Sequence, residues 1–274
     1  MGASESGYQI GSDAAELERL RRQGQLLAPA TRMLLGAAGI RPGLRVLDLG
    51  SGAGDVAFLA AELVGPSGAV VGVERSPESV ATAEARTKQQ GLGNVSFVVG
   101  DIHEAAPGGP FDAIVCRLVL MYVPDPVAVL RTQAAQLRPG GVVAPIEFDD
   151  IRTAGSVPPT PLVGQLLAWL RETFERVGIA TALGSRLWAV LQDAGLRPLG
   201  MLGVQPHFGP HDPGGPFLLA GIARAMLPLI ERAGVATAQE VDADTLEARL
   251  ADELASNDAV FVGPVMQSAW GTRT

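Results

Sequence analysis

The stretch VLDLGSGAGDVA, residues 46–57, decides the fold of this chain. An apolar run leads into glycines at 50, 52 and 54, and a second apolar run follows from Val56 to Val64. This order predicts a strand, a tight turn and the start of a helix. Because glycine adopts backbone conformations that other residues avoid and lets a ligand approach the main chain, the turn predicts a cradle for a small molecule.

Apolar strand-like runs alternate with helical patterns on both sides of this turn. Strands are predicted at 44–49, 69–74, 95–100, 111–117 and 141–148. Helices are predicted at 54–64, 77–90 and 125–137. Such alternation is typical of a parallel sheet with helices packed on both faces, so the chain is predicted to be an α/β protein of Rossmann-like architecture.

The rhythm changes after residue 148. Helices are predicted at 158–178, 185–195, 216–234 and 242–256, and strands at 196–208 and 259–270. The N-terminal part, about residues 1–40, is predicted to form a helical lid that Pro29 divides. We expect one domain over residues 1–274, with cap insertions at about 155–180 and 210–235 near the strand ends where ligands bind.

Composition narrows the classes of function. The chain has 274 residues, 29 acidic against 21 basic side chains and a net charge of −8, which disfavours a nucleic-acid partner. No apolar run approaches the roughly 18 residues of a membrane span, so no membrane partner is expected. The single cysteine, Cys116, excludes a disulfide framework and a cysteine-rich metal site, and no secretory signal is recognised, so we expect a cytoplasmic location and no metal.

The spacing of the glycines separates this turn from two phosphate-binding motifs. A dinucleotide fingerprint needs G-x-G-x-x-G, whereas here the third glycine arrives one residue early. The Gly-Lys-Ser/Thr ending of a P-loop is absent, and no Lys or Arg occurs between Val46 and Val73. A pyrophosphate would lack a side-chain cation here, although backbone amides remain, so a dinucleotide-binding module stays the alternative.

Carboxylates follow the next two predicted strands. Glu74 ends the second strand, where it can accept hydrogen bonds from both hydroxyls of a ribose. Asp101 ends the third strand and Ile102 follows it, an arrangement suited to an adenine amine beside an apolar wall. Together they indicate an adenosine site without a phosphate partner, although a solvated strand end or a turn residue would read the same way.

The motifs taken together resemble those of the class I S-adenosylmethionine-dependent methyltransferases. The similarity covers about residues 10–150 and is closest to the ubiquinone/menaquinone-type group that includes natural-product enzymes. It is carried by VLDLGSGAGD (46–55), VVGVERS (70–76), VVGDIHEAAP (98–107), FDAIVCRLVLMYVPDP (111–126) and LRPGGVVAPIEFD (137–149). The resemblance implies a seven-stranded, mostly parallel sheet with an antiparallel last strand, formed by 259–270 pairing with 197–206.

The resemblance also implies a set of residues that bind S-adenosyl-L-methionine and its product S-adenosyl-L-homocysteine. The group around the methionine part and the ribose is Asp48, Gly50, Ser51, Gly52, Gly54, Glu74 and Arg75. The adenine and the region after the fourth strand involve Asp101, Ile102, Arg117 and Leu118. Tyr8 resembles part of a segment that closes over the cofactor, and Gln25, with Arg22 and Gln23, is expected to meet the methionine carboxylate.

Methyl transfer places few demands on side chains because it is an in-line displacement that rests on positioning and exclusion of water. Glu147, with Asp149, ends the fifth strand where the acceptor is expected and is the predicted acid or base; His207, with His211, is the other choice. The alternatives are a carboxylate bonded to backbone and a surface histidine. Cys116 is predicted to be core.

The acceptor is expected to be a small hydrophobic metabolite such as a terpenoid, a polyketide or an indole derivative. Apolar residues of the cap helices would form its pocket or would simply be core: Trp169, Leu170, Phe174, Phe217, Leu218, Met226 and Leu227. Such helices also mediate dimers in the family, so a homo-oligomer is among the expected partners. A relative that binds the cofactor but works as a cyclase or isomerase is the alternative enzyme.

Overall fold

A computed structural model of the chain describes residues 14–179 and 182–273. The first helix, α1, runs over Ala14–Ala37. Alternating strands and helices follow: β1 Arg45–Leu49, α2 Asp55–Val64, β2 Ala69–Glu74, α3 Pro77–Gln90, β3 Val95–Val99, β4 Phe111–Arg117, α4 Pro126–Ala134 and β5 Leu137–Phe148. The predicted strand bounds at 69–74 and 111–117 and the helix at 77–90 are confirmed, and the others differ by a few residues.

The main sheet has seven strands. The chain then continues through β6 Gly155–Val157, α5 Pro161–Val177, α6 Leu183–Asp193, β7 Arg197–Val204, β8 His207–Phe208, α7 Gly214–Arg232, α8 Ala238–Val241, α9 Leu246–Ser256, β9 Val260–Val262 and β10 Met266–Thr272. The strand order is β3-β2-β1-β4-β5-β10-β7. Neighbours from β3 to β5 are parallel, and β10 is antiparallel to both β5 and β7, as predicted.

The order of strands reverses between β1 and β4. After β1 the chain builds outward to β3, and it then returns to place β4 on the other side of β1. In open α/β sheets this switch point leaves a crevice at the carboxyl ends of the two strands, and ligands bind there. The glycine turn at 50–54 follows β1 directly and so lies at this crevice.

Two predicted strands each divide between two sheets, which corrects the prediction of continuous strands at 196–208 and 259–270. Only β7 and β10 join the main sheet, whereas β8 and β9 pair with β6 in a three-stranded sheet of order β6-β9-β8. The interruptions carry Pro206 and Pro264, and proline supplies no N–H for a strand ladder. Because β6 and β8 follow β5 and β7, this small sheet stands at the carboxyl edge of the main sheet.

Helix α1 is continuous, so the prediction that Pro29 divides it is wrong. Pro29 is exposed, and Leu27, Leu34 and Leu35 from the same helix are buried in the core. Packing of that apolar face holds the two halves of α1 in line although proline lacks the N–H for the bond to the carbonyl of Gln25.

Helices cover both faces of the main sheet, as predicted. One face packs against α1, α2, α3, α5, α7 and α9, and the other packs against α4 and α6. Among the described residues, α7 is long and apolar enough to cross a membrane by length and composition, which corrects the expectation that no stretch is. Its most apolar window is 61% buried, which is the packing of a core helix.

Candidate functional site

The glycine turn requires glycine at its first and last positions. Gly50, Gly52 and Gly54 have φ values of 63°, 52° and 94°, a region that side-chain-bearing residues rarely adopt. A Cβ atom at Gly50 would lie 2.7 Å from the Val119 side chain, and one at Gly54 would lie 2.8 Å from the ring of Phe97. The turn is therefore packed from below and presents bare backbone to the crevice.

Glu74 is the polar neighbour of this turn. Its Oε2 accepts a hydrogen bond from the Gly52 N–H at 3.1 Å, and its Oε1 accepts one from the Ser76 N–H at 3.0 Å. The carboxylate at the end of β2 thus stands beside the turn after β1, as the sequence predicted for a group that binds a ribose.

Asp48 is a buried carboxyl group at the foot of the turn. It is 1% exposed, and within residues 14–179 and 182–273 its Oδ2 has no hydrogen-bond partner. Burial raises its pKa to about 8, against the lowering effect of Arg117. Ser51 Oγ is a second buried oxygen that lacks a partner in the described part. Two buried polar groups without partners in the described part leave hydrogen-bonding capacity at this turn that a polar ligand can use.

Arg117 connects the end of β4 to α1. Its Nη1 donates a 2.9 Å hydrogen bond to Thr31 Oγ1. Burial lowers the pKa of Arg117, and the charges of Asp55 and Asp48 raise it. Leu118 follows with φ 55°, an uncommon conformation for leucine, and it turns the chain so that Val119 covers Gly50. Arg117 and Leu118 therefore lie at the turn, as expected for residues beside a cofactor.

Arg86 is a contact of the glycine turn that the sequence analysis missed. From α3 it donates to the carbonyl of Ala53 at 2.6 Å and to Asp55 Oδ1 at 2.8 Å. The segment 46–73 holds no Lys or Arg, so this cation reaches the turn from a distant helix, and its guanidinium is engaged with protein acceptors. In the sequence, the position of Arg86 on the side of α3 that faces the sheet is the signal that could have indicated this contact.

The residues expected at the adenine lie at the end of β3. Asp101 is exposed, and its Oδ1 accepts from the His103 N–H at 2.8 Å. Hydrogen bonding with His103 lowers the pKa of Asp101. The exposed Arg75 lies close enough for its charge to act in the same direction. Gln133, fully buried and not singled out from sequence, donates to the carbonyls of Ile102 and Glu104 at 2.6 Å and holds this loop to α4.

The residues predicted to meet a methionine carboxylate lie on α1 or before it. Gln25 is exposed on α1, and Tyr8 and Gln9 lie outside the described residues. Arg22 lies 4.0 Å above the ring of Phe217 and 3.6 Å from a carboxylate oxygen of Glu247, so it ties α1 to α7 and α9. That position departs from the expected role for Arg22, because the guanidinium is engaged with the cap.

Glu147 is fully buried and bonded to backbone, which agrees with the alternative stated for it, a carboxylate held by the main chain. Its Oε1 accepts from the N–H groups of Val119 and Leu120 at 3.0 and 2.7 Å, and its Oε2 has no partner in the described part of the chain. Burial raises its pKa to about 7, against the lowering effect of these bonds. Asp149 Oδ1 accepts from the N–H and hydroxyl of Ser185 and so caps α6.

The histidines and the cysteine take different places. His207 is exposed on β8, paired in register with Val262, at the carboxyl edge of the main sheet. His211 is also exposed. Cys116 is 1% exposed in β4, so its prediction as core is confirmed. Within the residues that the structure describes, neither histidine forms a hydrogen bond with Glu147. Within residues 14–179 and 182–273, no three His, Cys, Asp or Glu side chains gather as metal ligands would.

An open groove of about 300 Å³ lies between the segment after β5 and α5. Its lining is mixed: the apolar part includes Ile151, Ala154, Leu167 and Ala168, and the polar part includes Arg152, Ser156, Thr160 and Arg171. Of the two alternatives for the apolar residues of the cap helices, burial favours core for five of them: Leu170, Phe174, Phe217, Leu218 and Met226. The groove begins at the carboxyl end of β5, on the same edge of the sheet as the glycine turn.

Comparisons with known proteins agree with this geometry. A family described as "Methyltransferase domain" matches residues 40–192, more than half of the chain. Nocamycin O-methyltransferase of Saccharothrix syringae is 37% identical over 148 residues, which are 54% of this chain and 50% of that protein. Arsenite methyltransferase of Halobacterium salinarum is 35% identical over 157 residues, 52% of this chain and 40% of that protein. The chain thus spans half or less of the length of these curated relatives.

A solved structure supports the fold. The crystal structure of a SAM dependent methyltransferase from Aquifex aeolicus superposes with a TM-score of 0.50 at 22% identity. The superposition covers 63% of this chain and 82% of that one. At 22% identity this likeness concerns the fold alone. The names of the two curated relatives indicate chemically different acceptors.

Proposed function

Because the chain belongs to the methyltransferase domain family, we propose that it transfers a methyl group from S-adenosyl-L-methionine to a small molecule. The observation that carries this proposal is the glycine turn with Glu74 beside it and, beneath it, Asp48 Oδ2, which has no partner within residues 14–179 and 182–273. The spacing of the glycines and the sequence family both favour this cofactor over a dinucleotide.

The residues of the turn fit the cofactor in charge and shape. Gly52 has open space where a Cβ would stand, and the buried oxygens of Asp48 and Ser51 offer polar groups to the methionine end. Glu74 would exchange its bond with Gly52 for the ribose hydroxyls, and Asp101 with Ile102 would meet the adenine. The proposed set of cofactor-binding residues also includes Gly52, Arg75, Arg117, Leu118, Gln25 and Tyr8.

When bound, S-adenosyl-L-methionine supplies an electrophilic methyl group on a sulfonium. The chain positions the reactants and excludes water. The turn after β4 covers Gly50, and Arg117 joins that turn to α1, so the reacting region lies between packed elements. No nucleophilic side chain is needed, because the acceptor itself attacks the methyl carbon as the sulfur leaves.

For the acceptor we propose a small hydrophobic metabolite that uses the groove along α5. The apolar part of the lining, with Ile151, Leu167 and Ala168, and the position at the carboxyl end of β5 support this placement. The net charge of −8 supports a small molecule over a nucleic acid, and the single buried cysteine supports a reducing compartment, the cytoplasm.

Proton transfer during the reaction is proposed for Glu147 or His207. The raised pKa of Glu147, about 7, suits an acid or base, and the exposure of His207 suits contact with an acceptor. A Glu147→Gln variant that binds cofactor normally and turns over at the wild-type rate would remove Glu147 from the chemistry.

A thermal melt tests the cofactor. The purified protein is melted alone and with saturating S-adenosyl-L-methionine, S-adenosyl-L-homocysteine or NAD. A ligand at a hundred times its dissociation constant adds about 2.7 kcal/mol, which raises the Tm by roughly 5–10 °C. We expect this rise with both sulfur compounds and none with NAD.

Two other outcomes would change the proposal. A rise with NAD alone would favour the dinucleotide-binding alternative and overturn the proposed function. Binding of the sulfur compounds without transfer of a labelled methyl group to naphthols, hydroxyindoles or terpenols would instead favour the cyclase or isomerase alternative.

A further inference from the structure

Arg86 lies between α3, the glycine turn and the first residue of α2. Its guanidinium donates through Nη1 to the carbonyl of Ala53 at 2.6 Å and through Nη2 to Asp55 Oδ1 at 2.8 Å. The carbon of the same guanidinium lies 4.9 Å from the ring centroid of Phe58. Both members of the Arg86–Asp55 pair have side chains only 22% exposed, so solvent screens the pair less than a surface ion pair.

The two groups that Arg86 holds flank Gly54, the residue that joins the turn to α2. Ala53 stands between Gly52 and Gly54, and glycine has the largest backbone entropy to lose on ordering. The Gly54 cap of α2 makes no side-chain hydrogen bond, so the start of that helix lacks the usual local anchor. A fixed donor on α3 therefore adds a restraint from a distant helix to the packing and backbone bonds that the turn already has.

The contact extends from the turn to α1. A Cβ at Gly24 would lie 2.4 Å from Asp55 Oδ2, so α1 passes directly over the carboxylate that Arg86 holds. The Phe58 ring beneath Arg86 packs edge to face on Phe97 at 5.9 Å, and both rings line the underside of Gly54. Arg86 is thus the polar element that joins the turn, α3 and, through Asp55, the surface beneath α1.

We propose that Arg86 is a positioning residue that preorganises the glycine turn for the cofactor. It acts through the Ala53 carbonyl and Asp55, which keep the Gly52 N–H and the left-handed glycines in their binding conformation before the ligand arrives. Ordering the turn in advance removes an entropy cost from binding, so the residue contributes to affinity without touching the ligand. This inference rests on the proposed function, because it concerns the same cofactor.

The test compares S-adenosyl-L-homocysteine binding by calorimetry in the wild type, Arg86→Met, Arg86→Lys and a control, Arg138→Met. Arg138 also makes a 2.7 Å ion pair, with Asp112, but remote from the turn. We expect Kd to rise about tenfold in Arg86→Met and to stay within about twofold in the control. Arg86→Lys, which has one ammonium for two acceptors, is expected to fall between them.

Kinetics separate positioning from chemistry and from general stability. With any acceptor that the wild type methylates, Arg86→Met is expected to raise the KM for S-adenosyl-L-methionine about tenfold while kcat changes by less than about threefold. A purely structural role would lower the Tm of Arg86→Met and Arg138→Met alike and leave Kd unchanged in the folded fraction.

The outcomes decide the inference separately from the proposed function. If the wild type does not bind S-adenosyl-L-homocysteine, the proposed function fails. If the wild type binds it and folded Arg86→Met binds it equally well, only the role of Arg86 is overturned. Should Arg86→Met fail to fold, Arg86→Lys decides: an unchanged Kd in that variant overturns the role, and a raised Kd supports it.

Discussion

Asp48 and Glu147 are two buried carboxyl groups on opposite faces of the main sheet. Asp48 shares its face with Val46 and the helices α1 and α2, whereas Glu147 shares its face with Val143 and α6. Burial raises both pKa values, to about 8 and about 7. Each group therefore prefers its protonated form in the folded protein, and each costs stability when pH rises far enough to ionise it.

Glu147→Gln is expected to change the pH dependence of stability. The carboxyl has a pKa of about 7 in the fold against an ordinary value of 4.5, so its contribution is full below about pH 4.5 and is lost as pH rises through about 7. The amide keeps an acceptor for Val119 and Leu120 and does not ionise. Above about pH 8 the variant is expected to be more stable than the wild type by roughly 3 kcal/mol.

Denaturant melts at about pH 5 and about pH 9 measure this difference. Glu84→Gln, on the exposed side of α3, is the control and is expected to change neither value by more than about 0.5 kcal/mol. Equal stability of Glu147→Gln and wild type at both pH values would contradict the raised pKa.

At the scale of elements, the sequence predicts best those segments whose ends carry local signals. Helix α3 begins with Ser76, which accepts from the Ser79 N–H, and Pro77 at its first position; it ends at Gly91 in the left-handed conformation. These signals act within a few residues, so the predicted bounds 77–90 are those of the structure. Pro206 and Pro264 mark where the predicted strands are interrupted, but no local signal tells that β8 and β9 pair with β6, because strand pairing is decided by distant partners.

Pro29→Ala is expected to stabilise α1. Pro29 is exposed in the middle of the helix, and alanine restores an N–H for the Gln25 carbonyl and a better helix propensity. Because proline also restricts the unfolded chain, we expect a net gain of about 2 kcal/mol. Pro126→Ala is the matched control: proline at the first position of α4 costs nothing, so no gain is expected. Thermal melts of both variants measure this, and a lower Tm for Pro29→Ala would contradict it.

At the scale of the whole molecule, the cap helices and the groove show how packing reassigns apolar residues. The amphipathic pattern predicts that Leu170 and Phe217 lie on the apolar faces of their helices. The same pattern fits a ligand pocket and a core. In the fold these residues pack between α5, α7 and the sheet, and the open space falls instead beside Ile151 and Ala168.

Ala168→Trp is expected to fill the groove and to block the acceptor. With any naphthol or hydroxyindole that the wild type methylates, we expect the acceptor KM to rise about tenfold or more, while the Kd of S-adenosyl-L-homocysteine stays within about twofold. Gln165→Trp, on an exposed position of the same helix, is the control. Unchanged acceptor kinetics in Ala168→Trp would place the acceptor elsewhere.

The sequence by itself determined the alternation of strands and helices, the glycine turn and the carboxylates Glu74 and Asp101 at the following strand ends. These features depend on periodicity, on φ values that only glycine adopts easily, and on the meeting of parallel strand ends at one edge. Tertiary structure alone decided that Arg86 reaches the turn, that Glu147 is buried beneath the backbone of Val119, and that the cap residues are core. Each of these depends on contacts between segments far apart in the chain, which no local pattern encodes.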